Sequence, residues 1–132
     1  MKWPISVSSV FIAGSAAPRL FARKPASSTK MIDSHAHLHD HRFDIDREEL
    51  IEDIFRSGVK ALINVGTDPA DSARALDLAG RREGIFAAVG AHPHCFAEAG
   101  ENRGYLMELE RLLAAAPEKI VAVGEVGLDY FR

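Results

Sequence analysis

The stretch 59-VKALINVGTDP-69 decides the fold. Val59–Gly66 is an apolar run of strand length, rich in β-branched residues. Asp68-Pro69 follows at once, an N-cap residue with proline at the first helical position. A strand ending in a capped helix is half of a βαβ unit. The helix is predicted to run to about Arg82, with Ala73, Leu76 and Ala79 turned inward.

Working outward, the same alternation recurs on either side. Upstream, "MIDSH" (31–35) is a short strand candidate. Asp46 with Glu49 three residues on has the form of a capping box. Leu50, Ile51, Ile54 and Phe55 then share one helical face, and Gly58 ends that helix. Downstream, "IFAAVGAHPH" (85–94) is a third strand running into a proline-containing loop. Leu106, Leu109 and Leu113 mark a third helix before Pro117, and "KIVAVGEVG" (119–127) is a fourth strand.

The order is β-α-β-α-β-α-β, with strands apolar on both faces, which places them in a parallel sheet covered by helices. No GxGxxG follows the first strand, so a dinucleotide-binding fold is disfavoured. The fold class expected is α/β of the (β/α)₈ TIM-barrel type. Such a barrel takes about 250 residues, so this chain is read as its first four strands and three helices, an incomplete barrel. Strands one and four would then offer open edges for association.

The composition is that of an ordinary globular domain, 47% hydrophobic and 27% charged over 132 residues. A single cysteine, Cys95, excludes an internal disulfide and suits a reducing compartment; it is read as a buried or half-buried thiol. Residues 1–30 hold Lys2, Arg19, Arg23, Lys24 and Lys30 without an acid, whereas 31–132 hold 11 basic and 19 acidic residues. That acidic body has no broad basic footprint for phosphate backbones. A metal or a local patch would have to supply positive charge. Residues 1–30 are read as an extension from an over-long translation start, with Met31 beginning the domain 31–132. A secretory signal or an organellar transit peptide are the alternatives. The corresponding location is cytoplasmic, or exported or organellar if the extension targets the chain. No apolar run reaches the roughly 20 residues of a membrane span.

The polar residues cluster where strands end, the rim on which parallel α/β folds build sites. Four of the six histidines alternate at 35, 37, 39 and 41. His35 and His37, two apart on a strand, point to one side and can share a divalent cation. Asp33, on that side too, is placed to orient one of them. Glu125 lies at the equivalent end of the fourth strand, where a carboxylate can bridge two metals roughly 3.5–4 Å apart. His92, before Pro93, is a candidate substrate or phosphate contact, and His94 has a weaker claim. His39 and His41 are read as solvated loop residues. Asp129 is either a support for the site or a turn residue.

"MIDSHAHL", "FDIDREEL", "NVGTDP", "AAVGAHPH" and "AVGEVGLDYF" occur together and in order. In this the chain closely resembles the TatD-type metal-dependent hydrolases from Met31 to Arg132. The resemblance implies a (β/α)₈ barrel of the amidohydrolase superfamily and two divalent metal ions (Zn, Mg or Mn). The substrate it implies is DNA or another phosphodiester. On the matching motifs His35, His37 and Glu125 would be metal ligands and His92 would lie near the substrate phosphate. His39 and His41 inherit nothing. The family's two further ligand histidines and its water-activating aspartate come from later strands than those present here. The expectation is therefore a deoxyribonuclease, weak or inactive as residues 1–132 alone. The alternatives are a related hydrolase of an ester or amide, such as an aminoacyl-tRNA linkage, and a non-catalytic fragment.

Overall fold

The computed structural model describes residues 30–99 and 103–129, and all of the extension 1–30 but its last residue lies outside them. Four strands, β1 (Met31–Ala36), β2 (Val59–Val65), β3 (Ile85–Val89) and β4 (Ile120–Val123), form one parallel sheet in the order β1-β2-β3-β4. The helices between them are α1 (Arg47–Arg56), α2 (Pro69–Arg81), α3 (Pro93–Ala99) and α4 (Arg103–Ala115). Sequential order and parallel pairing are what short βαβ connections produce.

The core lies between the helices and one face of the sheet. Leu62, Ile85, Ala87 and Val89 meet Ile51, Leu76, Leu78, Ala79, Leu109 and Leu112 there. The outer strands are bare by comparison: Ile32 is 68% exposed and Val123 63%. Among the described residues β1 and β4 pair on one side only.

The helix termini test the local readings. Asp68, with φ −149° and ψ 175°, accepts a hydrogen bond from the Asp71 amide, and Pro69 opens α2 as predicted. Asp46 makes no such bond. Its φ of −132° and ψ of 10° lie outside the extended region in which an N-cap side chain faces its helix, so the capping box does not form. The segment after β3, read as a loop, is the helix α3: Pro93 again takes the first turn, and the Phe96 amide bonds to the His92 carbonyl at 2.9 Å. In α4 Leu106 is exposed. Leu109 and Leu113 pack on the core as expected, joined there by Tyr105, Leu112 and, just past the helix, Ala116.

Candidate metal centre

The parallel sheet brings the four strand ends to one rim, and the site is built there. His35 and His37 leave the end of β1 with their Nε2 atoms 3.1 Å apart. Pairing with β2 slips between Asp33 and Ala36, yet the two rings still converge. Glu125, just beyond β4, places Oε1 3.3 Å from His35 Nε2. The ligand atoms of His35, His37 and Glu125 all lie within 4.8 Å of one another.

This trio fits a divalent cation. Metal–nitrogen bonds of about 2.0–2.1 Å at octahedral to tetrahedral angles hold two nitrogens roughly 2.9–3.4 Å apart. The observed separation of the imidazole nitrogens falls inside that interval. Burial holds His37 below its ordinary value of 6.5, and repulsion from His35 adds to this, against a hydrogen bond to the Val65 backbone that pulls upward. The neutral imidazole that results at neutral pH is the form that ligates. Asp33 does not reach a ring; it accepts from the His35 backbone amide at 3.0 Å and so steadies the main chain.

Two glycines make the approach of Glu125 feasible. A Cβ on Gly90 would stand 2.2 Å from the Gly124 carbonyl carbon and 2.5 Å from the Glu125 nitrogen. A Cβ on Gly66 would overlap Ser72, whose hydroxyl accepts from the Gly90 amide at 3.2 Å. With both side chains absent, the Gly124 amide bonds to the Val89 carbonyl at 2.9 Å and the Glu125 amide to the Gly66 carbonyl at 3.2 Å.

His39 is not a solvated loop residue. It is 5% exposed, and its Nε2 lies 2.9 Å from Asp71 Oδ1. The turn closed by the Asp40 amide on the His37 carbonyl folds the chain back, turning His39 inward beneath α2 while His41 stays in solvent. Arg47 holds the same turn, donating to the carbonyls of Leu38, His39 and Asp40. Burial pushes the Asp71 carboxyl up, but bonds from His39 and Thr67 outweigh it and hold the group below 3.8. His39 Nδ1 has no partner among the described residues; such a buried atom costs about 1–3 kcal/mol.

On the β3 side, the His94 amide donates to His92 Nδ1 at 3.2 Å, so Nδ1 is the accepting nitrogen of that ring. The two rings meet edge to face at 4.8 Å. His94 Nε2 lies 2.6 Å from Asp129 Oδ2, so the residues left open by the sequence form a pair that ties the loop after β4 to α3. Cys95 is half-buried.

Asp71 and Asn64 escaped the sequence reading. Asp71 sits 32 positions from His39, and nothing in either residue's neighbourhood announces the other. Asn64 did leave a signal: an amide inside a buried apolar strand needs a partner. It finds the Leu38 amide at 2.8 Å.

A parallel α/β sheet with two histidines and a glutamate converging on its C-terminal rim is an arrangement that could hold a metal ion, as in hydrolases built on such barrels. The family model for TatD related DNase matches residues 32–132, and the chain belongs to that family. The metal-dependent hydrolase YabD of Bacillus subtilis (strain 168) is 37% identical over 101 residues, covering 76% of this chain and 38% of YabD. The 3′-5′ ssDNA/RNA exonuclease TatD of Erwinia billingiae is 36% identical over 103 residues, covering 77% of this chain and 38% of its own length. The chain thus spans under two-fifths of these relatives. The crystal structure of YjjV, a TatD homologue from Escherichia coli K12, superposes with a TM-score of 0.67 at 36% identity, over 76% of this chain and 38% of that one. A TatD family hydrolase from Entamoeba histolytica gives 0.68 at 26%, over 75% and 38%. The four strands are accordingly part of a TatD-type TIM barrel.

Proposed function

We propose that this chain supplies the first ligands of a divalent-metal phosphodiesterase acting on single-stranded nucleic acid. The observation that carries the reading is the convergence of His35, His37 and Glu125 on one point of the rim. In this reading two divalent ions, Zn, Mg or Mn, serve as cofactor. His35 and His37 would hold an ion through ring nitrogens, and Glu125 would add a carboxylate ligand. When bound, the metal lowers the pKa of its water toward about 7 and polarises a phosphoryl oxygen. The Nε2 of His92 is the donor offered to a substrate phosphate. Nucleic acid as substrate is favoured by the exonuclease relatives. Residues 31–132 hold 19 acidic against 11 basic side chains, so in this reading the metal site anchors the phosphate.

The test is a Mn²⁺ titration of the 132-residue polypeptide, followed by paramagnetic relaxation of water protons, beside hydrolysis of an end-labelled single-stranded oligonucleotide. Weak binding, lowered a further tenfold or more by Glu125→Gln with the melting temperature unchanged, is the expected result. Turnover by this polypeptide is expected to be slow or undetectable, because the further ligand histidines and the water-activating aspartate that the TatD resemblance implies come from later strands. Equal Mn²⁺ affinity of wild type and the Glu125→Gln, His37→Ala double variant would refute the assignment.

A further inference from the structure

The loop between β2 and α2 carries no ligand, yet all three other rim loops are bonded to it or to the helix it opens. The Gly66 carbonyl accepts the Glu125 amide at 3.2 Å, and the Thr67 carbonyl accepts the His92 amide at 2.8 Å. Asp71, in the first turn of α2, holds that loop from below: its Oδ2 accepts from the Thr67 amide and hydroxyl, each at 3.0 Å. Its Oδ1 accepts from His39, two residues beyond His37, at 2.9 Å and from Arg74 at 2.7 Å. One carboxylate therefore joins the turn after β1 to the loop on which the segments after β3 and β4 hang.

His37, His39 and Asp71 are also near enough to hold a cation. Asp71, however, already has about four acceptor positions filled by four donors, one of them a guanidinium. Its chemistry is that of a support. Groups bonded directly to metal ligands orient them, and their loss typically costs about 10–100-fold in metal affinity; Asp71 bonds to none of the three ligands and acts on them through the turn and the loop it holds.

We propose that Asp71, held by His39, is a positioning residue that sets the spacing between the His35–His37 pair, His92 and Glu125. The proposal rests on the metal reading of His35, His37 and Glu125 above. It predicts that a change at residue 71 is felt at backbone atoms that residue 71 does not touch.

The experiment uses the 132-residue chain labelled with ¹⁵N, without metal and then with Co²⁺. In Asp71→Asn, the amide signals of Thr67, His92 and Glu125 are expected to shift together. Co²⁺ affinity is expected to fall about tenfold or more, with a displaced visible band. Thr67→Val is expected to reproduce part of both effects and Thr67→Ser to restore the wild-type spectrum; these carry the test if Asp71→Asn fails to fold. Arg74→Ala, which frees one lone pair without loosening the loop, is expected to leave His92 and Glu125 in place. Amide shifts confined to Thr67 and the first turn of α2 would overturn the proposal. So would a Co²⁺ spectrum unmoved in a folded Asp71→Asn variant. A wild-type chain that gives no Co²⁺ band sinks the metal reading instead, and the metal-free amide shifts then still decide the positioning role.

Discussion

Asp40 shows how a single carboxylate writes itself into acid stability. Hydrogen bonds from the Arg42 side chain and amide hold it at about 2, below the ordinary 3.8. Asp71 is displaced in the same direction, chiefly by His39 and Thr67 working against its burial. For both groups the folded state binds protons less readily than the unfolded chain. Their contribution is therefore complete above the ordinary carboxyl range and fades as pH falls from 3.8 toward the folded values. Urea midpoints measured between pH 6 and pH 2 should show the gap between wild type and Asp40→Asn closing over that window, and it should be flat above pH 5. The Asp40 effect is expected to be small, since the pair is solvent-facing. His39 marks the limit of residue-scale reading. Its alternation with His35 and His37 was visible, but whether the chain turned it into solvent or under α2 depended on Arg47, in the next helix, and on Asn64, in the next strand.

Elements were legible wherever local chemistry set them. Asp68-Pro69 capped α2 as its sequence implies, because the cap bond closes within four residues. Pro93 likewise opened α3, where the sequence suggested a proline-containing loop. The strand ends needed more. Glu125 reaches the site because β3 and β4 run close enough at Gly90 for backbone to meet backbone. Gly90→Ala places a methyl group where the Gly124 carbonyl stands. It is expected to cost about 1–3 kcal/mol by overpacking. Because the strain falls on the segment bearing Glu125, Mn²⁺ affinity should drop as well. Chemical denaturation with a parallel metal titration checks both, and an unperturbed affinity would mean that the Glu125 segment is placed by other contacts.

At the scale of the whole molecule, the described sheet has two unpaired edges carrying apolar side chains. Ile32 on β1 and Val121 and Val123 on β4 are exposed, with Val126 and Leu128 beyond them. Exposed parallel edges of this kind pair with other strands. The 132-residue polypeptide is expected to associate with rising concentration in light scattering, and Ile32→Lys with Val123→Lys should weaken this without lowering the melting temperature. Monodisperse wild-type protein at high concentration would show that the edges are protected. Among the described residues, no helix is long and apolar enough to cross a membrane.

The sequence by itself determined the order of the four strands with α1, α2 and α4 between them, the parallel sheet and the two histidines that converge at the end of β1. Those follow from short-range periodicity, capping chemistry and the alternation of side chains along a strand. Only the tertiary structure decided that His39 is buried on Asp71, that His94 meets Asp129, and that Gly66 and Thr67 anchor the loops bearing Glu125 and His92. Each of those contacts joins residues 25 to 59 positions apart, brought together when parallel strands align their ends. Local pattern carries no record of such pairings, because the bonds form only after the sheet has assembled.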